Sequence, residues 1–419
     1  MTLRRAVPWV LAACVLAYVA LAAGPWRERV WRSEGARDFA SFYYATQAAA
    51  DGANPYDDRV LDRLARQDGT RRSVHPFFYP PPFLLVFAWV LPLSLETAFR
   101  AWFVADHLFL LAVLLALWRW HPRPAIALFL GLAAVTFTPI ADNDWMGQVN
   151  LFVLAFVVLG LLAVERNREV LGGSLLGAAC MLKMSPALLV AWWLLHGRWR
   201  AVGTAVITAL LLSIFTLPLL DIGYQWEFYS KILPGFAAGH YHGLTVSIGL
   251  PTNHSIASLL HELFPGTRVA LSDTARFFSS LIALALLAGT AWAFRRRPPD
   301  ALAALCQAGT VVVLLLVLPV YTYEHHMVWM LVPYTAAFAA AVEGRLGRVA
   351  LATLVLAYAV QALPLDWLKA AYRSLDALGS ARDPVYYLLR EAKFVAALWA
   401  GAASAIAAGR AYRVVDRRA

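Results

Sequence analysis

Lysine is nearly missing from this chain. Of 36 basic side chains only Lys183, Lys231, Lys369 and Lys393 are lysines, and arginine supplies the rest. Cysteine is scarcer still: Cys14, Cys180 and Cys306 lie far apart, each inside an apolar run, which excludes a disulfide framework and any cysteine-based metal spacing. HExxH and related ligand spacings are absent too, so neither a metal nor another cofactor is expected. Charged residues make up 15% of the 419 positions, fewer than a soluble domain carries. No internal repeat and no low-complexity tail is present, which removes solenoids and arrays. The formal charge of +10 comes from arginines spread through short connecting segments, not from a basic stripe, so nucleic acid is not an expected partner.

What is present is hydrocarbon. Broadly apolar residues reach 61% and the mean hydropathy is +0.60, the balance of an all-α polytopic membrane protein. A crossing helix needs about 20 apolar residues, fewer where protein surrounds it. Runs of that kind occupy residues 7–23, 97–118, 124–140, 147–164, 170–184, 186–197, 201–220, 276–294, 301–320, 327–342, 348–364 and 386–408. Twelve crossings leave both termini on one side. Arg4, Arg5, Arg119, Arg123, Arg166, Arg168, Arg198, Arg200, Arg295 to Arg297, Arg345, Arg348 and the tail from Arg410 to Arg418 then share one face, which the positive-inside rule makes cytoplasmic. The opposite segments ADNDWMG and VYTYEHH hold no Lys or Arg. MTLRR and the apolar run after it have the outline of a signal peptide, yet no convincing cleavage site precedes Trp26, so a retained first helix is expected. Segments 170–184 and 186–197 are short and are parted by Lys183, Met184, Ser185 and Pro186; they read either as two crossings or as half-helices of a re-entrant hairpin.

Two long segments, 24–96 and 221–275, fall on the non-cytoplasmic side. In the first, an aromatic helix from Phe39 to Ala50 is expected to end at Gly52. Asn54 and Pro55 then read as cap and first position of a second short helix running to Gly69. Both look interfacial, with Phe39, Phe42, Tyr43 and Tyr44 at headgroup level. HPFFYPPPF cannot be regular helix, because consecutive prolines fix φ and remove donors. LLVFAWVLPL, after it, is too short to span and reads as a dip into the membrane.

Polar residues at the outer boundary invite a functional reading because they are expensive in lipid. Asp38 opens the first outer segment; it suits the N-cap of the aromatic helix, and it equally suits a base for a hydroxyl held at hydrogen-bond distance. Asp142 and Asp144 fit a solvated acidic loop. Gln148 and Asn150 sit in the first turns of the next helix, placed either to contact a ligand or to hydrogen-bond a neighbouring helix. Lys183, at a Pro-broken turn, suits a phosphate headgroup or an ion pair with Asp142 or Asp144. His325 and His326 open a helix at the outer surface and can donate to a sugar or phosphate oxygen. Tyr43, Tyr44, Tyr79 and Trp145 fit sugar-facing walls or an interfacial aromatic belt. Arg373 and Arg382, in the last outer loop, face an anionic acceptor or lipid headgroups.

The run GQVNLFVLAFVVLGLLAVERNREVLGGSLLGAACMLKMSPALLVAWWLLHGRWRA resembles the core of glycosyltransferase family 87, the polyprenol-phosphate-mannose-dependent mannosyltransferases. The resemblance lies in its Gly147-Gln148-x-Asn150 opening and its Lys183-x-x-Pro186 break. DFASFYYATQAAADGANPY and FFYPPPF resemble the family's first outer loop, and NHSIASLL and HHMVWMLVPY its later landmarks, so the likeness runs from residue 38 to about 335. It implies a GT-C type helical bundle of about 12 transmembrane helices, one integral domain over residues 1–419 with interfacial helices in its first outer loop. It implies residence in the cytoplasmic membrane, an active site on the periplasmic or extracellular side, and a polyprenyl-phosphate sugar as donor. Asp38 is then the catalytic base and His325 or His326 the histidine at the outer helix end, with Lys183, Gln148 and Asn150 at the donor. Tyr43, Tyr44, Tyr79, Asp142, Asp144, Trp145 and Asn253 are expected to line the substrates. The expected reaction is inverting transfer of a hexose, mannose by the resemblance, to a hydroxyl of a lipid-linked or glycan acceptor by a monomer. The rival class is a polytopic transporter or lipid-carrier flippase; the missing repeat and the one-sided placement of the polar segments weigh against it.

Overall fold

The computed structural model describes residues 3–32, 37–70, 74–237, 246–377 and 384–416. Among these the chain is helix and loop, with no strand. Each of the twelve apolar runs coincides with a helix or a bent pair of helices. Among the described residues five segments are long and apolar enough to cross a membrane: Val7–Trp31, Leu95–Trp120, Trp199–Thr216, Asp273–Ala293 and Ala392–Arg413. The number rises to seven if two bent pairs count as single spans, Pro124–Thr136 with Thr138–Met146 (49°) and Arg348–Ala362 with Leu365–Ala371 (93°). Exposed Trp9, Leu16, Phe277, Leu284 and Trp292 face outward from these helices. Surfaces so apolar suit lipid and no aqueous solvent. The protein is therefore a multi-pass membrane protein.

Contacts gather the chain into two compact units that alternate along the sequence. The first comprises Ala22–Val113 and Asn143–Val246. Its helix Arg37–Ala50 does not lie with its aromatics among headgroups, as expected. Phe39, Phe42, Tyr43 and Tyr44 are all buried, and Phe42 meets Phe83 at 4.9 Å between ring centroids. The aromatics turn inward because the tri-proline segment supplies a matching surface: Pro82 opens the short helix Pro82–Phe87, which presents Phe83 and Phe87. The next helix is Asp58–Gln67, capped by the Asp57 side chain on Arg59 N–H. Asn54 is not its cap, because its side-chain oxygen turns back onto the Tyr56 N–H at 2.9 Å, and so the helix starts three residues past the expected Pro55.

The same unit holds Asn150–Glu165, Glu169–Leu182, Ala187–Leu195 and Trp199–Thr216, with Glu169–Leu182 packed on both the first and the last of these. Small residues let the backbones approach. A Cβ at Gly177 would lie 2.4 Å from the Ala205 carbonyl oxygen, whereas one at Gly203 would meet nothing within 4 Å. Gly177→Val is accordingly expected to destabilise by about 1–3 kcal/mol or more and to lower the midpoint of thermal unfolding in detergent. Gly203→Val serves as the control, and equal midpoints for the two variants would refute the close approach.

The second unit comprises Met1–Leu21, Leu114–Asp142 and Ser247–Ala419. Its centre is the helix Ala301–Val317, buried along its length and packed on Leu331–Val342 and Ala392–Asp416. Asn253 ties the connecting loops together: its amide donates to the Ile248 and Val320 carbonyls, both at 2.9 Å, and accepts from Thr322 N–H at 2.8 Å. Buried Glu324 bonds His254 Nε2 at 2.9 Å and pairs with the Lys393 ammonium. A buried carboxylate stays charged in such a place because a cation and a second donor replace its lost water.

Candidate active site

The helix Thr138–Met146 ends at Gly147, which takes φ +64, a left-handed value that closes a helix and that side chains resist. Gly147 N–H bonds the Asp144 carbonyl and Gln148 N–H the Asn143 carbonyl, both at 3.1 Å. This turn fixes Asn143, Gln148 and Asn150 within one compact stretch before the helix Asn150–Glu165 begins.

Asp38 lies in the first turn of Arg37–Ala50, not ahead of it as a cap. Its carboxylate is engaged at both oxygens: one is 2.7 Å from His75 Nδ1 and the other accepts from Gln148 Nε2 at 2.8 Å. A carboxylate only accepts, so Nδ1 of the ring carries the proton in this pair. Gln148 Oε1 accepts in turn from Tyr79 Oη–H at 3.1 Å and from Val149 N–H at 3.3 Å. Burial, and next the charge of Asp38, push the Tyr79 phenol well above its ordinary range; it remains a donor at any physiological pH.

A second arm leaves the same turn. Asn143 Nδ2 donates to Asp106 Oδ2 at 2.6 Å and, at 3.4 Å, to the Gln148 carbonyl. Asn150 Nδ2 donates to Asn143 Oδ1 at 3.1 Å, and Lys183 Nζ donates to Asn150 Oδ1 at 2.7 Å. In place of the ion pair considered for it, the ammonium thus rests on a neutral amide. Lys183 is extended, at φ −156 and ψ 125, where Glu169–Leu182 stops ahead of the helix Ala187–Leu195, and it lies within reach of the Asp38 charge.

Asp144, read as part of a solvated loop, is buried in the helix Thr138–Met146. One of its carboxylate oxygens stands 3.9 Å from His107 Nδ1, and its charge acts on Asp106. Asp142 is half-buried and belongs to the second unit. Trp145 is 40% exposed, with the Arg29 guanidinium 4.7 Å over its ring. Tyr43 and Tyr44, assigned to the substrate, bond the Leu93 carbonyl and the Thr70 hydroxyl, each at 2.8 Å; buried as they are, they pack their own unit. Asn253, assigned likewise, has its amide taken up by backbone, as described above.

His325 and His326 belong to the second unit, in the turn Glu324–Met330. His326 Nδ1 accepts from Tyr323 N–H at 2.9 Å, a cap for that turn, while His325 is buried. Arg373 is exposed, and Arg382 lies outside the described residues. The first unit therefore brings together Asp38, Tyr79, Gln148, Asn150 and Lys183. His75, Asn143 and Asp106 complete the cluster; Asn143 belongs to the polar stretch from Asp142 to Asp144 that the sequence marks out, and sequence reasoning misses the other two. Asp106 gives a signal, an ionisable side chain inside an apolar run. His75 gives none beyond its place before three prolines.

A carboxylate backed by an imidazole, and a lysine amine that rests on a neutral amide within reach of that carboxylate, can take a proton from a hydroxyl and hold an anionic leaving group. The sequence profile of glycosyltransferase family 87 matches residues 77–319. The polyprenol-phosphate-mannose-dependent alpha-(1-2)-phosphatidylinositol mannoside mannosyltransferase of Mycobacterium tuberculosis is 27% identical over 350 residues, 77% of this chain and 73% of that protein. The protein of the same name from Mycolicibacterium smegmatis is 30% identical over 287 residues, 61% of this chain and 60% of that protein.

Proposed function

This chain belongs to glycosyltransferase family 87, and from that premise we propose that it transfers mannose, with inversion, from polyprenol phosphate mannose to a hydroxyl of a mannosylated glycolipid. The chain is a glycosyltransferase by that membership; the donor and the acceptor class follow from the names of its two relatives. We place the reaction on the non-cytoplasmic face of the cytoplasmic membrane, in a GT-C bundle of twelve crossings with both termini inside, a topology supported by the one-sided distribution of arginine.

The observation that carries the chemistry is the single network from His75 and Asp38 through Gln148, Asn143 and Asn150 to Lys183. Asp38 supplies the negative charge that draws the proton from the acceptor hydroxyl. Lys183 faces the phosphate as its bond to the anomeric carbon breaks. Prenyl phosphate is a competent leaving group, so one displacement suffices and the configuration inverts, as in inverting glycosidases. Trp145 adds a face for the sugar.

The test is incubation of the purified protein in lipid vesicles with radiolabelled polyprenyl phosphate mannose and a phosphatidylinositol mannoside. A labelled, more polar lipid whose new linkage has the anomeric configuration opposite to the donor's is expected. Label that merely equilibrates across the bilayer, with no product, would instead make the protein a lipid carrier.

A further inference from the structure

We infer that the proton leaving the acceptor hydroxyl is received by Nε2 of His75, with Asp38 as the charged partner that orients the ring; this rests on the transferase reading above. Both oxygens of Asp38 already accept short hydrogen bonds, from His75 at 2.7 Å and from Gln148 at 2.8 Å. The pair is also unevenly exposed: the His75 side chain is 26% accessible and the Asp38 side chain 12%. The imidazole is thus the more open end of the dyad. With Nδ1 donating to the carboxylate, the neutral ring carries its lone pair on Nε2, the form a base needs.

The segment that presents the ring is held on both sides. Val74 N–H bonds Asp62 Oδ1 at 3.2 Å, Phe77 is fully buried, and Tyr79, four residues on, bonds the amide of Gln148 that holds the other oxygen of Asp38. Residues 74–79 therefore fix the imidazole and the carboxylate against each other. In the step itself, the acceptor oxygen forms the bond to the anomeric carbon while the bond from that carbon to the phosphate oxygen breaks. Its electron pair stays on the prenyl phosphate, which leaves as an anion towards Lys183. The hydroxyl proton moves to Nε2, and the imidazolium, paired with Asp38, later releases it to water.

Asparagine and alanine at position 75 separate this role from simple support. His75→Asn keeps an N–H where Nδ1 stood, able to donate to Asp38, and has nothing at the place of Nε2. A fall in kcat of about 10²-fold or more, with donor and acceptor KM unchanged and the thermal midpoint close to native, is expected. His75→Ala is expected to regain activity with added imidazole, and Asp38→Asn is not. A folded His75→Asn within about threefold of the native kcat overturns the inference. If that variant does not fold, imidazole decides: restored turnover of His75→Ala supports the role and unrestored turnover overturns it. Activity in Asp38→Asn would topple the transferase base itself, whereas an inactive Asp38→Asn beside an active His75→Asn removes His75 alone.

Discussion

Asp38→Asn is expected to lower mannosyl transfer by about 10²–10⁴-fold, the span of a general base, in a protein that still folds. The amide has the shape of the carboxylate but only one acceptor oxygen, and two donors converge on it, His75 Nδ1 and Gln148 Nε2. If the oxygen keeps Gln148, the new NH2 meets the ring, and His75 must move its proton to Nε2 to accept. That tautomer has no lone pair to offer the substrate. If the oxygen keeps His75, Gln148 must turn over, and Tyr79 and Val149 lose the acceptor they share. The first arrangement keeps every bond and changes only the ring's tautomer, and the second loses a buried bond, about 1–3 kcal/mol; the unfolding midpoint shifts modestly at most beside a large loss of rate. The comparison to make is turnover against thermal midpoint for this variant and for Tyr79→Phe, which removes one bond of the same network without touching the charge. Equal losses of rate in the two would reduce Asp38 to a piece of scaffold.

The contrast between what the sequence tells and what it hides follows from range. Apolar runs are local, and all twelve reappear as helices, because length and composition alone decide that a segment can satisfy its backbone internally. The Lys183 to Pro186 break is also local and is found where expected, between Glu169–Leu182 and Ala187–Leu195. The aromatics of Arg37–Ala50 are different. Rings suit a membrane interface and a protein core equally well, and only the arrival of Phe83 and Phe87 from some 40 positions away decides for the core. His75 and Asp38 are likewise 37 positions apart, with no periodicity linking them. Asp144 reads wrongly because an acidic stretch looks like a loop until its neighbours are seen to bury it. The division into two interleaved units, with residues 22–113 joined to 143–246, leaves no mark in composition at all.

Lys183→Met is expected to reduce kcat by about 10²–10³-fold, the loss that follows removal of one group stabilising a developing anion. Asn150→Asp asks a finer question. The amides between Asp106 and Lys183 run one way: Asn143 donates to Asp106, Asn150 donates to the Asn143 oxygen, and Asn150 shows its own oxygen to Lys183. That arrangement holds the cation without neutralising it. A carboxylate at position 150 would neutralise it, with an attraction of about 4 kcal/mol for charges 4 Å apart at an effective dielectric near 20. The donor phosphate would then compete with a resident anion, and donor KM is expected to rise about tenfold or more, equivalent to about 1.4 kcal/mol. The single variant also forces Asn143 to turn its oxygen towards Asp106, which destabilises the fold and clouds the result. The double variant Asn150→Asp with Asp106→Asn removes that conflict. The new amide at position 106 donates to Asn143, Asn143 donates to the new carboxylate at position 150, and that carboxylate holds the ammonium. The three bonds from position 106 to Lys183 then survive, with the polarity of the amide bonds reversed, and only the long bond from Asn143 to the Gln148 carbonyl is given up. Native-like stability with donor binding still weak is the expected outcome, since only the availability of the charge has changed. Recovery of both stability and donor KM in the double variant would mean that the ammonium is a packing element and that the phosphate is held elsewhere.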